Sequence, residues 1–154
     1  MIRKARVADV KEIRRILQMF ARRGELLPRT MAELYSQVRD YYVYQEDSQG
    51  PLCGIAALHV SWEDLGEIRS VAVARGEIGK GLGTGIIRAC LDEARRLEIA
   101  RVFVLTYIAG YFERFGFREV GRDELPHKIW ADCIKCPKFP ECGEVPMVID
   151  LASR

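Results

Sequence analysis

The 154-residue sequence predicts an α/β (α+β) fold, a mixed and mostly antiparallel sheet flanked by helices. Three observations carry the prediction. Tyr41 to Gln45 and Leu52 to Val60 are β-rich and joined by Asp47-Ser48-Gln49-Gly50-Pro51, a hairpin signature. Glu67 to Ala74 is a further strand that runs into a glycine-rich turn and then an amphipathic helix. Arg101 to Thr106 has the continuous apolar character of a strand covered on both faces.

In chain order, the first element is a short strand within Met1 to Arg6. Asp9 and Glu12 stand in capping-box spacing before Val10, Ile13, Ile16, Leu17 and Phe20, an i, i+3, i+4 stripe that ends near Gly24. Thr30 and Glu33 repeat that spacing before a short helix through Leu34 and Val38. The hairpin and the strand Glu67 to Ala74 follow. In that strand, period-two alternation places Glu67, Arg69, Val71 and Val73 on one face. The next helix aligns Ile87, Cys90, Leu91, Ala94 and Leu97 on its packed face, with Arg88, Asp92, Glu93, Arg95 and Arg96 largely opposite. After Arg101 to Thr106 come a short helix, Tyr111 to Phe115, and a strand from Gly116 to Val120. Residues 121–143 read as irregular, and Val145 to Leu151 is a last strand. The whole is read as one domain of an ordinary size for a single core.

Composition narrows the function classes. A balance of 24 Lys and Arg against 22 Asp and Glu leaves a net charge of +2, too small to attract nucleic acid or an acidic membrane broadly. No apolar run approaches the ~18 residues that cross a membrane, and the N-terminus lacks a signal-like apolar region. A cytoplasmic location is expected, with the five cysteines reduced or metal-bound. Cys133-x2-Cys136 and Cys142, with His127 upstream, supply enough donors for zinc in principle. Reduced structural thiols and a redox pair are the alternatives, and no metal site is assigned.

The glycine-rich turn, Ile78-Gly79-Lys80-Gly81-Leu82-Gly83-Thr84-Gly85, lets backbone approach a ligand while the following helix turns its free N–H groups toward it. That makes an anion cradle. Spacing excludes two common phosphate loops. Gly81 follows Lys80 where a P-loop needs Ser or Thr, and the third glycine of the dinucleotide fingerprint falls on Thr84 or Ile86.

The remaining pattern of strand, Gly-x-Gly-x-Gly turn and helix resembles the acetyl-CoA-binding motif of the GNAT superfamily of N-acetyltransferases, over nearly the whole chain. The family's pattern of Arg or Gln, two residues, Gly, one residue, Gly or Ala matches at Gly81 and Gly83. Ile78 holds the first position, which leaves backbone amides, Lys80 and Arg75 to meet the pyrophosphate. The resemblance implies a cosubstrate site of Val71, Val73, Ile78, Gly79, Lys80, Gly81, Leu82, Gly83 and Thr84. It also implies that the N–H of Val73 or a neighbour polarises the thioester carbonyl where this strand splays from the next, with Glu67 as general base. The family's usual acid is a tyrosine in a segment like Phe-Tyr-Glu-Lys-Leu-Gly-Phe. Here Phe112 takes that place in Tyr111-Phe112-Glu113-Arg114-Phe115-Gly116-Phe117, and Tyr111 is the candidate acid, with Tyr107 the other.

Leu26-Leu27-Pro28-Arg29-Thr30, Val104-Leu105-Thr106, the segment from Tyr111 to Phe117, and Leu125-Pro126 resemble stretches of the short, stand-alone N-acetylglutamate synthases. That resemblance implies direct acetyl transfer from acetyl-CoA to the α-amine of L-glutamate, the first step of arginine biosynthesis, in a domain that often pairs as a homodimer. Two carboxylates on the acceptor call for cations, and Arg29 and Arg69 suit them, with Lys128 a third candidate. Acetylation of another small amine, and a non-catalytic acyl-CoA sensor, are the alternative readings.

Overall fold

The computed structural model describes residues 1–22, 29–74, 81–126 and 144–151. Among the described residues seven strands form one sheet: β1 (Ile2–Lys4), β2 (Tyr41–Gln45), β3 (Leu52–Trp62), β4 (Leu65–Val73), β5 (Arg101–Thr106), β6 (Arg118–Glu119) and β7 (Val145–Asp150). Their order is β1-β2-β3-β4-β5-β7-β6. All neighbours are antiparallel except β4 and β5, the central pair, which are parallel. A parallel pair needs a long crossover, and α3 (Leu82–Arg96) supplies it. The predicted fold class therefore stands.

Each sheet face carries its own core, because successive residues of a strand point opposite ways. On one face α3 buries Ile86, Ile87, Cys90, Leu91 and Ala94 against Tyr42, Ala56, Leu58, Ile68 and Val102. α4 (Ala109–Glu113) adds Phe112 to the same layer. Gly54 permits the close approach: a Cβ there would stand 2.8 Å from Ile86 Cδ1. On the other face α1 (Val10–Arg22) and α2 (Met31–Ser36) bring Val10, Ile13, Ile16, Leu17 and Leu34 onto Tyr41, Val43, Ile55, Ala57 and Ala72. Phe103, Leu65, Val120, Leu125 and Val148 form a smaller cluster. Truncating a fully buried ring such as Phe103 to alanine costs about 3–5 kcal/mol in a core of this kind.

Local signals explain where most elements begin. Thr30 accepts from the Glu33 N–H at 3.1 Å while Glu33 Oε1 accepts from the Thr30 N–H at 2.8 Å, the predicted capping box of α2. The capping reading of Asp9 and Glu12 is corrected. Asp9 closes a 3-10 turn, Val7–Asp9, and its carboxylate takes the Arg6 N–H and the Arg3 guanidinium. Glu12 reaches across to the Leu52 N–H at 2.8 Å, pinning α1 to the start of β3.

Several bounds also move. β3 runs on to Trp62, and β4 begins at Leu65, two residues earlier than Glu67. Leu97 is 51% exposed, because the helix ends at Arg96 and Leu97 is its C-cap. The helix expected at Tyr111 to Phe115 is Ala109–Glu113, and only Arg118–Glu119 of Gly116 to Val120 pairs as a strand. Gly116 has φ +102, a left-handed conformation that keeps the chain out of strand geometry there.

Candidate functional site

Two irregularities in β4 build the site. The first is a fork. β4 and β5 pair only through Leu65↔Arg101, Gly66↔Val102 and Glu67↔Phe103, although β4 continues to Val73 and β5 to Thr106. Beyond Glu67 no described strand pairs with β4 on that side, so its peptide groups face an opening. The predicted splay is present, and Glu67 marks its apex.

The second is a bulge. Ile55↔Ala72 and Ala57↔Arg69 are both in register, so Ser70 and Val71 together oppose Ala56. Ser70 has φ +58, the left-handed region that non-glycine residues seldom adopt. Its hydroxyl accepts from Tyr41 Oη at 3.4 Å on the α1 side. The inserted residue flips the faces downstream. Arg69 lies opposite Ala57, which belongs to the α1–α2 core, whereas Val73 lies opposite Gly54 on the α3 face.

The alternation expected from sequence is thereby corrected. Glu67 and Arg69 share the α1–α2 face, and Val71 and Val73 stand on the α3 face. No residue type flagged the slip, since Ser70 is not a glycine and the flanking hydrophobicity continues through it.

The α1–α2 face holds the charged groups. Arg69 Nη1 lies 3.5 Å from Glu67 Oε1, and both side chains are largely shielded, at 11% and 16% exposure. Arg69 Nη2 donates to Gln37 Oε1 at 3.2 Å. Burial pushes the Tyr41 phenol up, while the Ser70 hydroxyl and the Arg29 and Arg69 charges oppose that shift. Arg29 and Arg69, the two predicted acceptor-binding cations, therefore converge on one neighbourhood around Tyr41. Sequence reasoning did not single out Tyr41, Gln37 or Ser70, which are joined here only by tertiary packing.

The α3 face holds the turn. Gly81 has φ +80 and caps α3, with no side chain bonded to the helix's first N–H groups. The Gly85 N–H closes onto Gly81 O at 3.2 Å, which leaves the amides of Leu82, Gly83 and Thr84 as the helix's open N-terminal donors. Gly85 thus leaves the predicted cradle. A Cβ there would stand 2.9 Å from Ile2 Cδ1, so it serves packing against β1. A Cβ at Gly83 would lie 3.1 Å from Tyr111 Oη and 3.6 Å from Val73 Cγ2. The end of β4, the first turn of α3 and the Tyr111 hydroxyl thus meet at one point. Thr84 Oγ1 and Tyr111 Oη are 3.2 Å apart. Phe112 is 3% exposed and packs its ring into the core, so it presents no polar group to this corner.

Ile78, Gly79, Lys80, Arg75, Lys128, His127, Cys133, Cys136 and Cys142 lie outside the described residues. Among those described, no three His, Cys, Asp or Glu side chains cluster as metal ligands, and no helix is long and apolar enough to cross a membrane.

A model of the acetyltransferase (GNAT) family matches residues 10–117. The sequence is 41% identical over 120 residues to an amino-acid acetyltransferase of Mycobacterium tuberculosis, covering 77% of this chain and 68% of that one. The crystal structure of Rv2747 from Mycobacterium tuberculosis, in complex with CoA, superposes with a TM-score of 0.83 at 33% identity, covering 98% of this chain and 99% of the other. N-acetylglutamate synthase from Neisseria gonorrhoeae, complexed with coenzyme A and N-acetyl-glutamate, superposes with a TM-score of 0.87 at 27% identity. The match covers 98% of this chain but 35% of that enzyme.

Proposed function

Because this chain belongs to the GNAT family of acetyltransferases, we propose that it uses acetyl-CoA to acetylate the α-amine of L-glutamate. The observation that supports this most is the fork at Glu67: carboxylate and arginines on one side of the opening, an open helix N-terminus on the other. Acetyl-CoA supplies an acyl group activated as a thioester. The amides of Leu82, Gly83 and Thr84, after the N-cap Gly81, suit its pyrophosphate, and Ile78, Gly79 and Lys80, next to them in sequence, are proposed as further contacts.

Val71 and Val73 line the α3 side of the fork, so an N–H of this unpaired edge serves as donor to the thioester carbonyl. Glu67, facing the α1–α2 side, accepts the proton an ammonium must lose before attack. The Tyr111 hydroxyl, beside Val73 and Gly83, is the acid for the departing thiolate. Acceptor carboxylates are met by Arg29 and Arg69. Acceptor and acyl donor then approach from opposite faces of the sheet and meet at the fork, which is direct transfer without an acyl-enzyme.

On this reading the chain is a cytoplasmic enzyme of arginine biosynthesis, with homodimer formation as a further expectation. Free-thiol release from acetyl-CoA, followed with L-glutamate beside L-aspartate, L-glutamine and a polyamine, tests it. Glutamate should give the highest kcat/KM. Preference for a polyamine would reassign the acceptor, and tight acetyl-CoA binding without turnover on any amine would favour a sensor.

A further inference from the structure

Glu67 is flanked on its own face by a second acid–base pair. In the β3–β4 ladder His59 is the direct partner of Glu67, so the two side chains leave the sheet on the same side with Cβ atoms roughly 5 Å apart. His59 Nδ1 lies 2.7 Å from Asp40 Oδ2, and both side chains are partly shielded, at 33% and 24% exposure. Asp40 ends the 3-10 turn Val38–Asp40 that follows α2, and Gln37, the partner of Arg69, immediately precedes that turn. One short segment therefore holds both neighbours of Glu67: Arg69 through Gln37, and His59 through Asp40.

We infer that Asp40 and His59 form a proton outlet for Glu67, a pair of positioning residues in which the imidazole receives the substrate-derived proton and releases it to water. The inference rests on Glu67 being the base. The balance is simple. The acceptor ammonium gives one proton to the Glu67 carboxylate and becomes a neutral amine. The Glu67 carboxyl then gives that proton to His59, regenerating the carboxylate and leaving an imidazolium paired with Asp40. Water or a buffer base removes it.

Several features favour this over a purely structural tie. With Nδ1 held by Asp40, Nε2 is the nitrogen left to exchange a proton, and the carboxylate fixes both tautomer and ring orientation. Asp40 is bonded to the imidazole and Glu67 is its register partner, while the charged residues next along the same two elements are Arg39 on the 3-10 turn and Arg69 on β4. Arg69 pairs with Glu67, which favours the carboxylate and so favours passing the proton onward. Only 16% of the Glu67 side chain is exposed, so the imidazole beside it offers the proton a route in addition to the little direct solvent contact.

His59→Gln, Asp40→Asn and Glu67→Gln variants separate the possibilities, assayed by thiol release with acetyl-CoA and L-glutamate. His59→Gln should lower kcat about tenfold with both KM values unchanged, and added imidazole buffer should restore most of the loss. A purely structural role would not respond to imidazole. Glu67→Gln should be far more damaging and insensitive to imidazole. A second readout needs no turnover: the chain has two histidines, so the ring resonances of His59 can be identified by their absence in His59→Gln and their tautomer read from the ring 15N shifts by NMR. The natural chain should hold a ring proton at Nδ1, toward Asp40, and Asp40→Asn should lose that preference; an unchanged tautomer in Asp40→Asn overturns the pairing. Unchanged kcat in His59→Gln, or a loss that imidazole does not repair, overturns the outlet and leaves Glu67 as base. Full activity in Glu67→Gln instead overturns the base, whatever His59 does.

Discussion

Glu67 and Val73 lie six residues apart on one strand yet face opposite sides of the sheet, because Ser70 occupies a bulge between them. An even spacing on an unbroken strand would have put both on one face. The bulge lets a single strand offer a carboxylate to one compartment and backbone beside the helix start to the other. Since β5 parts from β4 at Glu67, the two compartments open into each other there.

Ser70 is the residue on which that arrangement turns. Its φ of +58 costs a non-glycine residue roughly 1–2 kcal/mol, and a β-branched side chain more. Ser70→Val should lose about 2 kcal/mol or more in urea unfolding and should lower kcat even well below its unfolding temperature. Ser70→Gly should keep its stability or gain up to about 1 kcal/mol. Equal effects of glycine and valine would show that the conformation is not strained.

Gly83 and Gly85 are both helical and two residues apart, but only Gly83 adjoins the Tyr111 hydroxyl and Val73. Alanine at Gly85 meets the flexible end of Ile2, and helix propensity offsets that contact by about 1 kcal/mol. Alanine at Gly83 crowds the Tyr111 hydroxyl at 3.1 Å and enters the corner where the coenzyme is proposed to lie. Gly83→Ala should weaken acetyl-CoA binding by about tenfold in calorimetry while the unfolding midpoint barely moves. Gly85→Ala should leave acetyl-CoA affinity unchanged.

The proposed acceptor side gives a different signature. Arg29 and Arg69 both lie near the Tyr41 phenol, and each charge-assisted contact to a carboxylate is worth about 1.5–3 kcal/mol. Arg29→Ala should therefore raise KM for L-glutamate about ten to a hundredfold and leave KM for acetyl-CoA alone. Arg69→Ala should do the same and also lower kcat, because it strips Glu67 of its partner at 3.5 Å. A rise in KM for acetyl-CoA in either variant would place these cations on the coenzyme instead.

Fold class, strand inventory and the helix that follows Gly81 were readable from local pattern, since capping at Thr30 and Glu33, the hairpin after Gln45 and the apolar run of β5 are all local choices. The site was only half readable. Glu67, Arg69 and Arg29 could be named as candidates by type and position, but that Glu67 and Arg69 face away from Val71 and Val73 depends on a serine in a left-handed conformation that no composition rule marks. The Asp40 and His59 pair spans 19 residues and meets only through the packing of the α2 exit against β3. Gly85 was grouped with the cradle because a glycine's packing role and its ligand role look alike until the neighbouring side chain is known. Asp9 shows the same limit, a helix-start acid whose actual partner is an arginine on the preceding strand.

That partner sets a pH dependence. The Arg3 guanidinium, bonded to Asp9 at 2.8 and 3.0 Å, holds the Asp9 carboxyl below the usual carboxylate range, with burial opposing and the Arg6 N–H assisting. A carboxylate whose folded pKa is depressed contributes its stability above its unfolded pKa of about 3.9, and that contribution disappears as pH falls through the folded value. Arg3 also bonds Gln45 Oε1 at 3.0 Å, so Asp9 indirectly braces β1 against β2 and the entry to α1. Asp9→Asn should therefore be less stable than the natural chain at pH 7, by about 1 kcal/mol once screening by adjoining solvent is counted. The gap should stay flat down to about pH 5, narrow as pH falls through the unfolded value of about 3.9, and close only once pH has fallen through the depressed folded value, where the carboxyl is protonated in both folded and unfolded chains. Chemical denaturation across that range measures it, and a gap that persisted undiminished at the acid end would assign the loss to packing at Asp9 and not to its charge.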